Sequence, residues 1–168
     1  MRTRSALLFA TMVCSAMLSS ERAASQALSG KSQLVGSWVF VSGGSKLPDG
    51  RPVWGDNPKG LLIFMENGRY SSHLMRGDLP KFGSGSRIQG TPEENAAIVR
   101  GSIASFGTYT VDEAKKTFTI RWEANTFPNA AGQTQERAFT LNGDELRIAN
   151  PAPTAGGPPS ELVYRRDK

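Results

Sequence analysis

The 168-residue chain carries 20 Lys and Arg against 15 Asp and Glu, with 38% hydrophobic residues, one Cys and one His. That length gives room for one domain rather than two, and the apolar content lies above the disordered range. A lone Cys excludes an internal disulfide, and one Cys with one His excludes the common zinc sites, which need three or four such ligands together.

Met1 to Ser5 carries Arg2 and Arg4, Ala6 to Leu18 is apolar and uncharged for thirteen residues, and small residues follow at Ala23, Ala24, Ser25 and Ala27. Positive start, short apolar centre and small-residue end are the parts of a secretory signal peptide. Thirteen residues fall short of the roughly 20 that span a membrane. The expectation is a signal peptide over 1–27 and a folded domain over 28–168, exported to the periplasm or secreted, without stable membrane insertion after cleavage. Cys14 does not read as a lipidation site, because Val13 is bulky and the apolar run continues through Leu18. Cleavage after Ala27 removes Arg2, Arg4, Arg22 and Glu21, which lowers the formal net charge from +5 to +3. The remaining cations are scattered, with none of the clustering among aromatics that nucleic-acid binding requires, so no nucleic-acid partner is expected.

The rest of the chain reads as strands with one helix among them. Leu34 to Val41 is β-branched and aromatic and ends at Ser42-Gly43-Gly44, a strand with its stop. Lys46 to Pro58 is Pro- and Gly-rich loop, with a short extended piece at Arg51 to Trp54. Gly60 to Met65 and Arg69 to Arg76 flank Glu66-Asn67-Gly68, the strongest short hairpin signal in the chain. Thr91-Pro92-Glu93-Glu94 supplies a helix cap, a proline at the first position and two acids in the first turn, predicting a helix through about Ser105. Strands follow at Thr108 to Val111, Thr117 to Ala124, Gln135 to Leu141, Glu145 to Ile148 and Leu162 to Arg166. Eight or nine short strands without βαβ alternation predict an all-β fold. An antiparallel barrel with one short α-helix explains the count and leaves no long exposed edge.

At Gly36-Ser37-Trp38 the first strand is similar to that of lipocalins and related small barrels, which carry Gly-x-Trp there and an Arg from the last strand over the Trp. Here the last strand offers Arg165 and Arg166. The stretches at 34–42, 60–76, 90–97, 106–113, 127–129, 136–148 and 162–166 resemble, in order, the bacterial lipocalin-like domain family. The resemblance implies a lipocalin-like (calycin) barrel over nearly the whole domain and says little about activity. Many relatives carry two histidines and an acid on the strand after the helix. This chain has Ile120 and Arg121 at those places and keeps Glu123, so a role resting on that pair does not transfer.

Among candidate groups, His73 is the only imidazole and could serve as a base near neutral pH. An outward, hydrogen-bonded histidine is the competing and favoured reading of it. Tyr109 is a second acid–base candidate. Arg121 and Glu123 share one strand face opposite Phe118, Ile120 and Trp122, which predicts a surface position for the charges. Arg137 and Phe139 also share a face, so one of them is expected to be an interior exception. Gly83 to Ser86 lacks the preceding strand and following Lys of a phosphate loop.

The function expected from this sequence is binding of a small, mostly hydrophobic molecule in the barrel cavity, lined by Phe40, Phe64, Tyr70, His73, Tyr109, Trp122 and Phe139. Gly36, Trp38, Arg165 and Arg166 form the structural barrel end. No cofactor or metal is expected, and oligomeric state is left open. The alternatives are an isomerase- or cyclase-type enzyme using the same cavity, or a filled barrel acting as an interaction module.

Overall fold

The computed structural model describes residues 30–168; the expected signal peptide over 1–27 and its boundary with the domain lie outside them. Eight strands, β1 (Gly36–Gly43), β2 (Lys59–Phe64), β3 (Arg69–Met75), β4 (Ser102–Asp112), β5 (Thr117–Asn125), β6 (Thr134–Asn142), β7 (Glu145–Asn150) and β8 (Ser160–Arg166), follow one another around a closed barrel. Every neighbouring pair is antiparallel, and β8 returns to β1 to close the ring.

Alternation decides which residues fill the barrel. Trp38 and Phe40 on β1, Leu62 and Phe64 on β2, Tyr70 and Leu74 on β3, and Phe118, Ile120 and Trp122 on β5 join one buried cluster. Tyr109, Phe139, Leu146, Ile148, Leu162 and Tyr164 complete it from the remaining strands. The turns behave as their residues dictate. Gly68 takes φ +82° between β2 and β3, and the Asn67 side chain accepts from the Arg69 amide at 3.1 Å. Gly107 sits at the β4 bulge, where a Cβ would meet the Arg121 carbonyl oxygen at 2.0 Å.

Two boundaries differ from the sequence expectation. The chain enters the barrel through a five-residue helix, α1 (Gly30–Leu34), so Leu34 belongs to that turn and β1 begins at Gly36. The long helix α2 (Pro92–Gly101) stops at Gly101, and β4 begins at once, six residues earlier than expected. Ile103 and Phe106 mimic helical spacing, but the β3–β4 ladder starts at Met75↔Ser102 and overrides it. The helix start matches its signature: Thr91 Oγ1 accepts from the Glu94 amide, and Glu94 Oε2 accepts from the Thr91 amide. Glu94 Oε1 also accepts from the Gly83 amide at 2.8 Å, which ties the glycine-rich 83–86 segment to the helix.

Candidate functional site

The barrel interior has a sealed end and an end with space in it. At the sealed end Trp38 is fully buried, and its indole N–H donates to the Leu34 carbonyl at 2.8 Å. The Arg166 guanidinium lies 4.1 Å from the Trp38 ring centroid. It also donates to the carbonyls of Val35 (3.0 Å) and Gln33 (2.7 Å). Gly36 is required here on two grounds: its φ is +124°, and a Cβ would stand 3.2 Å from Arg166 Nη1. Arg166 is therefore the closing arginine, and Arg165 faces solvent. Tyr109 belongs to this end too, its hydroxyl donating to the Met65 carbonyl at 2.9 Å and its ring packing on Phe64.

Above Phe64 and Phe118 lies a cavity of about 80 Å³. Its apolar wall includes Leu62, Phe64, Leu74, Ile120, Trp122 and Leu162, and Trp54 and Pro153 reach in from loops. A wider outer chamber of about 390 Å³ opens beyond it, bounded by Leu47, Val99, Arg100 and Phe127. Val53, Trp54, Ile103, Thr154 and Ala155 line both spaces, so inner and outer chambers meet across them. The loop carrying Trp54 is held by its own backbone and by the residue that follows β3. The Val53 amide donates to the Ser45 carbonyl at 3.0 Å, and Arg76 Nη1 donates to the Val53 carbonyl at 3.4 Å. Gly44, at φ +93°, lets the Trp54 indole lie against the backbone, since a Cβ would be 2.7 Å from Nε1.

Polar residues also belong to this lining, and several carry buried atoms without partners. Among the described residues, Ser45 Oγ, Tyr70 Oη and Asn150 Oδ1 are buried without a hydrogen bond, and all three residues line the inner cavity. Ser105 lies beside the Tyr70 hydroxyl but outside hydrogen-bond geometry. Such atoms cost about 1–3 kcal/mol each when left unpaired. Burial pushes the Tyr70 and Tyr164 phenols up to about 12, so both remain protonated donors in the ordinary pH range. Arg137 lines the cavity as well. Its Nε donates to Gln135 Oε1 at 2.7 Å, and its guanidinium stands 6.0 Å from the Trp122 ring centroid. Burial pushes its pKa down, against smaller opposing influences from the Tyr164 and Tyr70 hydroxyls.

The structure brings together some of the expected lining and disperses the rest. Phe64, Tyr70 and Trp122 line the inner cavity. Phe40 and Phe139 are buried in the core, outside that lining, with Phe40 edge-on to Tyr164 and Phe139 against Phe118. Tyr109 sits at the sealed end with its hydroxyl occupied. His73 takes the outward, hydrogen-bonded position rather than a place in the lining: it shares the exposed outer face of β3 with Met75, and its Nε2 pairs with Ser71 Oγ at 2.8 Å. Arg121 and Glu123 also face outward, and Glu123 pairs with Arg69 on β3 rather than with Arg121. Arg137 and Phe139 both point inward, which makes Arg137 the expected interior exception. Their shared parity was the available signal, and Arg137, Ser45 and Asn150 are the site residues that the sequence reading missed.

The lipocalin-like domain family model matches residues 35–161, and the chain belongs to that family. A 4'-hydroxy-3'-methoxypropiophenone carrier protein from Aspergillus oryzae is 30% identical over 89 residues, covering 49% of this chain and 80% of that relative. A solved structure described as a REP1-NXSQ fatty acid transporter aligns over 80% of this chain and 96% of its own, at 10% identity and a TM-score of 0.36.

Proposed function

We propose that this lipocalin-like protein is an exported carrier that binds one small, mostly hydrophobic molecule inside its barrel. The observation that carries the reading is the pair of adjoining chambers, apolar in the main, with residues that carry buried unpaired polar atoms among the lining of the inner one. Ligand sites combine these two features, apolar walls for affinity and sparse polar groups for orientation. The Aspergillus relative's name supports the same role and offers a first compound, an aromatic ketone of suitable size for the inner cavity and its outer chamber. Export rests on the charged start, thirteen-residue apolar run and small residues of the first 27 positions.

Catalysis by His73 or Tyr109 draws no support from the geometry, since one side chain lies on the outer wall and the other has its hydroxyl engaged at the sealed end. Titration of the purified protein with 4'-hydroxy-3'-methoxypropiophenone and a panel of apolar aromatics tests the carrier reading. Binding should change tryptophan emission, because Trp54 and Trp122 line the cavity, and should raise the melting temperature. Trp122→Ala should weaken it at least about tenfold, the loss expected when a central aromatic contact is removed. Absence of both responses across the panel would overturn the reading.

A further inference from the structure

The strongest unexplained feature of the cavity is a cation with no counter-ion. No acid pairs with Arg137 among the described residues, and the acids of the adjoining strand segments, Glu123 and Glu136, are exposed on the outer face. Gln135 fixes the arginine from one side only: its Oε1 accepts from Arg137 Nε, while its Nε2 donates to the Ala152 carbonyl in the mouth loop at 3.3 Å. That arrangement holds the guanidinium by Nε and leaves both Nη nitrogens without a hydrogen bond among the described residues. A planar fork presented this way matches a carboxylate in bidentate fashion. The unpartnered Tyr70 hydroxyl is a neutral donor in the same cavity.

We propose that Arg137, assisted by Tyr70, is the seat for an anionic head group, so that the natural ligand is an apolar monocarboxylate bound with its head inward. This rests on the carrier reading and narrows it to a chemical class. The apolar tail then extends past Trp54 and Ile103 into the outer chamber, where Leu47, Val99 and Phe127 receive it. The opposite orientation would leave the head near Lys46 and Arg100 at the mouth. Both of those are solvated, and exposed ion pairs contribute little. A ligand inserted tail-first would also leave Arg137 buried and unpaired, which is the costly outcome.

The test uses a matched series with one tail: 4-phenylbutyrate, its methyl ester and the corresponding alcohol, titrated against the full protein and its variants. The wild type should bind the carboxylate at least about tenfold more tightly than either neutral analogue, as expected for a desolvated charge-assisted pair. Arg137→Leu should abolish that preference while neutral analogues bind within about threefold of wild type. The ligand-free Arg137→Leu protein should also keep or gain melting temperature, because an uncompensated buried charge has been removed. Arg137→Gln, which retains a polar end of similar reach, guards against a folding failure and should lose the preference equally.

Equal binding of all three compounds by wild type overturns the anionic seat and leaves the carrier reading standing. Loss of the preference in Lys46→Met or Arg100→Met, with retention in Arg137→Gln, places the head at the mouth and overturns the inward orientation. A large fall in melting temperature for both Arg137 variants with the preference intact in Arg137→Gln makes Arg137 structural. Failure of the entire series, together with the neutral aromatic panel, removes the carrier reading and this inference with it.

Discussion

The two ends of the barrel are built from the same residue types and put them to opposite use. Each end pairs an arginine with a tryptophan, Arg166 with Trp38 at 4.1 Å and Arg137 with Trp122 at 6.0 Å. Each also has a buried tyrosine. At the sealed end the groups around Trp38 are partnered: Arg166 holds two backbone carbonyls, Trp38 holds a third, and the Tyr109 hydroxyl holds a fourth. At the cavity end, among the described residues, the Tyr70 hydroxyl has no hydrogen-bond partner and Arg137 hydrogen-bonds only to Gln135. Chemistry per residue is equal, and the number of acceptors within reach is not. Satisfied polar groups staple a fold together, whereas unsatisfied ones are stability given up for a guest.

That contrast can be broken by substitution at matched positions. Arg166→Leu should destabilise the protein by about 2–3 kcal/mol, since charged hydrogen bonds to two part-buried carbonyls are lost together with the stacking on Trp38. Equilibrium urea unfolding measures this directly, and a change below about 0.5 kcal/mol would remove the arginine staple from the account.

The tyrosine pair gives a smaller but cleaner comparison. Tyr109→Phe should cost about 1 kcal/mol, because the Met65 carbonyl loses one of its two donors and keeps only the Gly68 amide. Tyr70→Phe removes a hydroxyl that pairs with nothing, so its ligand-free stability should stay within about 0.5 kcal/mol of wild type or rise. Equal losses for the two variants would mean that the two ends do not differ in the way described.

The smallest expected effect concerns pH and the segment near α2. Hydrogen bonds from the Gly83 and Thr91 amides hold the Glu94 carboxyl below its ordinary value of 4.5. A carboxyl depressed in the folded state contributes stability above its unfolded value and loses it as pH falls through the folded one. Amide exchange at Gly83 and Thr91 should therefore accelerate, relative to intrinsic rates, as pH drops below about 4.5, and Glu94→Gln should flatten that dependence. Exchange at Trp38 should not respond to that substitution, being at the other end of the barrel.

Much of this architecture was legible in the sequence because local chemistry and the final fold agree. Asn67-Gly68 makes its hairpin, Thr91 and Glu94 make their reciprocal cap, and the period-two apolar pattern of Phe118, Ile120 and Trp122 fills the interior. Disagreement arose where pairing at a distance prevailed over local pattern. Ile103 and Phe106 have helical spacing, yet β3 captures them as a strand. For the site, β3 already displayed its answer, since Tyr70 and Leu74 share the apolar face and His73 stands on the other. Arg137 was harder: alternation with Phe139 places it inside, and only the general cost of burying a cation argued otherwise. Ser45 and Asn150 could not be found from pattern, because their places in the cavity depend on how loops fold over the mouth.

The seam between β1 and β8 has a kinetic consequence. Seven of the eight pairings join strands adjacent in sequence, most of them across hairpins or short loops, with the longest connection the segment between β3 and β4 that carries α2. The eighth brings together residues such as Val35 and Arg166, 131 positions apart. Closing so long a loop is entropically the most demanding step, and it gains only when the rest of the sheet is already curved to receive it. Ring closure is therefore the late event of folding, and Arg166 docking on Trp38 is its latch. Until that latch engages, the chain is an open meander with two bare edges, and the last strand alone separates a finished barrel from a sheet ready to pair with its neighbours.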